Sequence, residues 1–169
     1  MARLFFAVWP DAAAAESLAR MAQDVVQVSG GRAVPAEKLH LTLAFLGEVG
    51  ESRMAALSDC ARLRAERFRL DLDRVGSFRR ARVAWAGASA PPRELLQAQQ
   101  MLAVRLAAAG FSLEEREYTP HVTLARRIER PVPPAAVAPV AWDADALTLV
   151  RTETGTGRYT VLERWPLRA

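Results

Sequence analysis

The chain repeats one short pattern, and this repeat limits its fold more than any other feature. HLTL stands at residues 40–43 and HVTL at residues 121–124, and these two tetrads contain the only two histidines of the 169 residues. A strand pattern beginning near Arg3 precedes the first tetrad, and one beginning near Arg82 precedes the second, with separations of 37 and 39 residues to the histidines. Each copy is typical of strand, helix and histidine-bearing strand, which indicates an internal duplication. A pseudo-twofold axis between the copies would place the tetrads opposite each other in a groove.

Within each tetrad, the spacing puts a histidine and a threonine on the same face of a strand. Side chains of a strand alternate between its two faces, so His40 shares a face with Thr42, and His121 shares one with Thr123. An imidazole exchanges protons near neutral pH, and a threonine hydroxyl can hold an anionic oxygen beside it. The pair therefore predicts acid–base catalysis in which one imidazole gives a proton and the other takes one. The structural alternatives are ordinary core histidines and plain β-forming threonines.

The rest of the chain alternates between short strands and helices. We expect the other elements at the following positions: strands over 3–9, 68–72, 80–86, 146–152 and 158–165, and helices over 11–28, 51–67 and 91–110. Asp11 is the expected N-cap of the first helix, and Gly47 is expected to close the strand that carries His40. A proline-rich segment predicts a loop marked by Pro131, Pro133, Pro134 and Pro139.

Length and composition narrow the class of protein. A chain of 169 residues fits one domain, or two small lobes that share a core. Cys60 is the only cysteine, which excludes an internal disulfide and favours a reducing cytoplasm. Two histidines and one cysteine disfavour a zinc site, although carboxylates alone could hold a hard cation. No run of 18 apolar residues occurs, so we expect no membrane span, and the first ten residues favour a strand over a signal peptide.

The net charge of +4 comes almost entirely from arginine, because Lys38 is the only lysine. Guanidinium groups bind phosphate with two hydrogen bonds, so an arginine-rich surface favours a polyanionic partner such as nucleic acid. A GC-biased genome rich in alanine and arginine codons accounts for the same composition, and both interpretations stay open.

Several segments together resemble the 2H phosphoesterases, and more narrowly the prokaryotic RNA 2′,3′-cyclic phosphodiesterases, which were first named 2′-5′ RNA ligases. They are RLFFAV at 3–8, LHLTLAFLG at 39–47, PHVTLAR at 120–126 and the strand at 158–162, so the resemblance covers essentially the whole chain as one domain over 1–169. It implies an α+β fold of two pseudo-symmetric lobes, each an antiparallel sheet with helices on its outer face, and an active-site groove between them.

The resemblance also implies a reaction. A terminal 2′,3′-cyclic phosphate would be hydrolysed to a 2′-phosphate without metal or cofactor, with 2′-5′ ligation as the chemical reverse. The partners implied are RNA ends or nucleotides that carry the cyclic phosphate, including tRNA fragments, and we expect a cytoplasmic monomer. The alternative function is a non-catalytic RNA- or nucleotide-binding module that uses the same cleft.

Residue roles follow from the family's pattern. His40 would be the proton donor to the leaving oxygen, His121 the proton acceptor from water, and Thr42 and Thr123 would contact the phosphate. Arg126 matches the family's phosphate-binding arginine.

Strand alternation, however, favours Arg127 as the arginine that shares a face with Thr123, unless the strand bends near its end. Four aromatic residues could stack a nucleobase, although core packing is the preferred role for each: Phe5, Phe45, Tyr118 and Tyr159.

Overall fold

A computed structural model describes residues 2–169. Within these residues, nine strands and three α-helices follow one another, together with 3₁₀ turns at Ala36–Lys38 and Glu51–Arg53. The strands are β1 Ala2–Val8, β2 Arg32–Ala33, β3 Leu41–Val49, β4 Phe68–Phe78, β5 Val83–Gly87, β6 His121–Arg126, β7 Ala135–Ala144, β8 Ala146–Thr152 and β9 Tyr159–Pro166. The helices are α1 Ala12–Ser29, α2 Met54–Cys60 and α3 Arg93–Ala108.

The strands form one antiparallel sheet with the order β7-β4-β5-β6-β3-β1-β8-β9, and β2 pairs with the end of β6. The order divides into two matched halves, β3-β1-β8-β9 and β6-β5-β4-β7. These halves meet where β3 pairs with β6, at Leu41 opposite Val122. The predicted α+β class with antiparallel strands is confirmed, and the junction makes the two lobes share one continuous sheet.

The helices pack across the junction between the halves. Helix α1 follows β1 of the first half but packs against β6 and β7 of the second, while α3 follows β5 of the second half and packs against β3 of the first. Buried leucines of both helices, such as Leu18 and Leu102, join the same core as Leu41 and Leu124 of the tetrads. The inner face of each tetrad is therefore anchored, which leaves its histidine and threonine on the opposite face.

Local signals set the ends of α1 as the sequence predicts. The Asp11 side chain accepts a hydrogen bond of 2.8 Å from the Ala14 amide, which satisfies one free N–H of the first turn. Gly30 ends the helix with a φ of 70° and a ψ of −169°, a conformation that glycine adopts without the steric cost of a Cβ.

Three expectations about element ends are wrong. Gly47 does not close the strand of the first tetrad, because the chain takes a φ of 66° there beside a register shift against β1 and continues pairing to Val49. The helix expected over 51–67 ends at Cys60, because residues 65–67 instead pair with the C-terminal segment around Arg168. Pro139 lies inside β7 rather than in a loop, since an edge strand tolerates the missing N–H.

The remaining bounds differ by smaller amounts. The strand expected over 68–72 extends to Phe78, the strand expected from residue 80 begins at Val83, and β3 begins one residue after His40. The C-terminal hairpin is confirmed, with Gly155 and Gly157 both at positive φ in its turn.

Candidate active site

The two tetrads meet at a cavity of about 60 Å³ at the centre of the sheet, called the central cavity below. Its lining residues are Val34, Lys38, His40, Thr42, His121, Thr123, Arg126 and Tyr159. The structure therefore brings both histidines, both threonines and Arg126 together, from strands that lie 81 positions apart in the chain (His40 to His121). Val34, Lys38 and Tyr159 complete the lining, and of these only Tyr159 is a candidate site residue from the sequence.

His40 is held at both ring nitrogens. Its Nδ1 lies 2.7 Å from the Lys38 carbonyl oxygen, and because a carbonyl only accepts, Nδ1 carries the proton and donates. Its Nε2 lies 3.1 Å from the Thr42 hydroxyl, which donates to it while the imidazole is neutral. The ring stacks on Phe5 at a centroid distance of 4.7 Å and meets the edge of Tyr159 at 5.5 Å. These contacts fix the ring plane and point Nε2 along the face of Thr42.

His121 repeats the same device in the second half of the sheet. Its Nδ1 donates to the Thr119 carbonyl at 2.8 Å, so in both tetrads the carbonyl two residues before the histidine fixes the tautomer. The Phe78 ring meets the imidazole edge-on at 5.2 Å. With Nδ1 occupied, Nε2 of His121 is the nitrogen left to exchange a proton with a ligand.

A β-bulge explains why Arg126, and not Arg127, lines the cavity. In the β5–β6 ladder, Trp85 pairs with Thr123 but Ala84 pairs with Ala125, so one residue of β6 is extra. Two consecutive side chains, at 124 and 125, are thereby buried, and the next residue returns to the face of Thr123. The strand alternation that favoured Arg127 fails at this bulge.

The first tetrad contains the matching bulge. Ala7 pairs with Thr42, but Phe6 pairs with Ala44, and the side chains at 43 and 44 are both buried. Phe45 therefore occupies the position in the first half that Arg126 occupies in the second. At this equivalent position the first half of the sheet carries an exposed aromatic ring and the second half carries a guanidinium group.

Both histidines are poor bases in the unliganded protein. Burial lowers the pKa of His40 from 6.5 to about 4, against the opposing effect of its bond to the Lys38 carbonyl, and the Arg126 charge lowers it further. Burial also lowers the pKa of His121, again with a contribution from Arg126. Both imidazoles are therefore neutral at pH 7. An anion in the cavity would offset the Arg126 charge and raise both pKa values, so its binding would favour the charged imidazolium form.

Lys38 adds a second cation that the sequence analysis did not assign to the site. Its Nζ donates to the Gly157 carbonyl at 2.7 Å and lies 5.1 Å from the centre of the Tyr159 ring. The C-terminal hairpin is thereby tied to the segment that positions His40. Its position two residues before the histidine was the only signal in the sequence.

The four candidate stacking residues occupy different environments. Phe5 is 3% exposed and packs on His40, so its ring is not accessible to a nucleobase in this structure. Tyr118 donates its hydroxyl to the Thr42 carbonyl at 2.8 Å and so joins the two tetrads. Phe45 is 46% exposed outside the central cavity, with the Arg3 guanidinium 5.8 Å from its ring centre. Tyr159 lines the central cavity.

Within residues 2–169, no group of three or more histidine, cysteine, aspartate or glutamate side chains is arranged to hold a metal ion. In that part of the chain, none of the helices is both long and apolar enough to cross a membrane.

Two imidazoles of fixed tautomer line one small cavity that also contains Arg126, in an antiparallel sheet of two matched halves. The chain belongs to the 2′-5′ RNA ligase superfamily, whose family model matches residues 9–156. It is 39% identical to the RNA 2′,3′-cyclic phosphodiesterase of Escherichia coli (strain K12), over 98% of this chain and 96% of the relative. It is 35% identical to the enzyme of the same name from Thermus thermophilus, over 98% of this chain and 90% of the relative.

A solved structure agrees with these sequence comparisons. The crystal structure of Escherichia coli LigT complexed with 3′-AMP matches the chain with a TM-score of 0.91 at 37% identity, covering 99% of both chains. The family expected from the tetrads is thus confirmed.

Proposed function

We propose that this protein hydrolyses terminal 2′,3′-cyclic phosphates of RNA to 2′-phosphates, with His40 as the acid and His121 as the base. The observation that carries the proposal is the pairing of two imidazoles, each with Nδ1 bonded to a backbone carbonyl, at one cavity that also holds Arg126. The names of the relatives at 39% and 35% identity support the same substrate class.

The cyclic phosphate would lie between the two histidines. Arg126 and the hydroxyls of Thr42 and Thr123 would hold its non-bridging oxygens and the charge that grows on them in the transition state. His121 Nε2 would take a proton from water as the water attacks phosphorus. His40 Nε2 would give a proton to the 3′ oxygen as its bond to phosphorus breaks, which leaves the phosphate on the 2′ oxygen.

The depressed pKa of His40 suits the role of acid once substrate is bound. A phosphodiester anion beside the ring compensates for burial and lets His40 become charged. An imidazolium in a buried site then releases its proton readily to the leaving oxygen. Each positioned acid or base of this kind is worth about 10²–10⁴ in rate.

The experiment is product identification with purified protein in EDTA, using a short RNA that ends in a 2′,3′-cyclic phosphate. We expect a 2′-phosphate from the wild type, and a rate lower by about 10²–10⁴ for His121→Ala. Arg127→Ala is the matched control, because Arg127 lies outside the central cavity. A 3′-phosphate product, or full activity of His121→Ala, would refute the proposal. Nucleotide binding without turnover would instead establish the binding-module alternative.

Finer points of the proposal rest on the same chemistry. Ligation of a 5′-hydroxyl to the cyclic end would be a side reaction of this site, and tRNA fragments would be one source of such ends. Cys60 is free and buried, which accords with action in the reducing cytoplasm, and we propose that the protein acts there as a monomer.

A further inference from the structure

A second cavity, of about 290 Å³, adjoins the His121 side of the groove and is called the side cavity below. Its lining includes Arg74, Trp85, Gly87, Glu117 and Thr119. Two of these residues place it next to the catalytic ring. Gly87 pairs with His121 across the β5–β6 ladder, and Thr119 supplies the carbonyl that holds His121 Nδ1.

The floor of the side cavity is an indole ring that lies against the sheet. A methyl group at Gly76 would overlap the Trp85 ring, and one at Gly87 would stand 3.0 Å from it, so the ring covers both glycines. Trp85 is half-buried, its indole lines the side cavity, and the Phe78 ring packs beside it with the ring centroids 5.8 Å apart and the planes inclined by 37°. A flat aromatic face of this kind stacks nucleobases without regard to sequence.

The position of the side cavity on the His121 side decides which reactant it can hold, because displacement at phosphorus is in line. The nucleophile enters opposite the leaving group, so under the proposed function water enters on the His121 side and the 3′ oxygen leaves on the His40 side. The nucleoside that carries the cyclic phosphate therefore extends toward the first half of the sheet. A molecule in the side cavity lies on the side of the nucleophile.

The side cavity is far larger than a nucleophilic water requires. One water occupies about 30 Å³ in the liquid, whereas about 290 Å³ approaches the 300–1,000 Å³ that is typical of small-molecule sites. Its charged groups are complementary to a nucleotide as well. Arg74 is exposed and suits a phosphate oxygen, and the Glu117 carboxylate can accept from a ribose hydroxyl or a base amino group.

We infer that the side cavity is an acceptor site for the first nucleoside of an RNA strand with a 5′-hydroxyl end. Its base stacks on Trp85, its 3′ phosphate meets Arg74, and its 5′ hydroxyl reaches the place of the attacking water. The 5′ oxygen then bonds to phosphorus while the bond from phosphorus to the 3′ oxygen breaks. His121 takes the proton of the 5′ hydroxyl, His40 supplies one to the 3′ oxygen, and no further reactant is consumed.

This inference rests on the proposed function, and its test measures a ratio within a single reaction. Cytidine 2′,3′-cyclic phosphate is supplied with adenylyl-(3′-5′)-adenosine, whose 5′ end is a hydroxyl, and both the 2′-5′ linked product and the hydrolysis product are counted. We expect the ratio of linked to hydrolysed product to rise and then saturate with the dinucleotide in the wild type. Trp85→Ala should lower the ratio at least fivefold, independently of how much of the variant is folded.

A second variant and two controls distinguish an acceptor that binds in the side cavity from one that reacts with the cyclic phosphate without binding there. Arg74→Gln should lower the ratio of linked to hydrolysed product with the dinucleotide but not with adenosine, which has no 3′ phosphate. Arg80→Gln removes the same charge outside the side cavity and should leave this ratio unchanged. Glycerol, an acceptor too small to need the indole, should be trapped equally by wild type and Trp85→Ala.

Two results are decisive against the inference. A ratio that rises linearly without saturation and is identical in wild type and both variants would overturn the acceptor site while leaving hydrolysis established. The absence of any turnover by the wild type would overturn the proposed function itself, and the inference with it.

Discussion

Because His40 is buried, the free energy of unfolding depends on pH, and the substitution His40→Gln isolates this contribution. The folded-state pKa is about 4 and the ordinary value is 6.5, so between these values the unfolded chain binds a proton that the folded chain does not. The contribution of His40 to the free energy of unfolding is fully present above pH 7 and is lost as the pH falls toward 4. At 1.36 kcal/mol per pKa unit, the complete loss is about 3 kcal/mol, of which about 2 kcal/mol falls between pH 7 and pH 5.

Urea unfolding of the wild type and His40→Gln at pH 7 and pH 5 measures this contribution. Glutamine does not titrate, so the loss of unfolding free energy on going from pH 7 to pH 5 should be smaller in the variant by about 2 kcal/mol. Carboxylates affect both proteins alike and cancel in the comparison. A difference below about 0.5 kcal/mol, which is the usual limit of such comparisons, would show that the His40 ring is not held neutral by burial.

Three other predictions concern the arginine pair, the pH profile and the floor of the groove. Arg126→Gln should lower kcat/KM by about 10²–10³, because the phosphate loses a charged hydrogen-bond donor, while Arg127→Gln should stay near wild type. Equal losses of kcat/KM for the two variants in steady-state assays would contradict the bulge that places Arg126 in the cavity. Because the pKa values of both histidines are lowered in the free protein, kcat/KM should be bell-shaped with its maximum on the acid side of neutrality, and a maximum above pH 8 would count against paired imidazoles. Gly76→Ala should cost about 1–3 kcal/mol of unfolding free energy, because the methyl group displaces the Trp85 ring; an unchanged thermal midpoint would show that the ring yields freely.

The sequence predicts those parts of the site that depend on spacing within a single strand. His40 and Thr42 share a face because strand side chains alternate, and His121 and Thr123 repeat the arrangement. The choice between Arg126 and Arg127 depended instead on a bulge opposite β5, and alternation within one strand cannot report on register with another. Only the resemblance to the family favoured the arginine that lines the cavity.

Other features depended on contacts distant in the chain. Lys38 lies in the site because its Nζ donates to the carbonyl of Gly157, 119 positions away in the chain, and no local sequence pattern predicts such a contact. The helix expected over 51–67 was cut short by pairing of residues 65–67 with the C-terminal segment. The apolar spacing in residues 51–67 favours a longer helix, but a tertiary contact prevails there because helix propensity is only a weak determinant of structure.

The division of the acid and base roles between His40 and His121 can be tested by a change of the leaving atom. The substrate is a nucleoside 2′,3′-cyclic phosphate with sulfur in place of the 3′ bridging oxygen, whose thiolate leaves without help from an acid. His40→Ala should be slower than wild type by about 10²–10⁴ on the oxygen substrate and close to wild type on the sulfur substrate, whereas His121→Ala should be slow on both. Equal losses for His40→Ala on the two substrates, or rescue of His121→Ala by sulfur, would contradict the assignment.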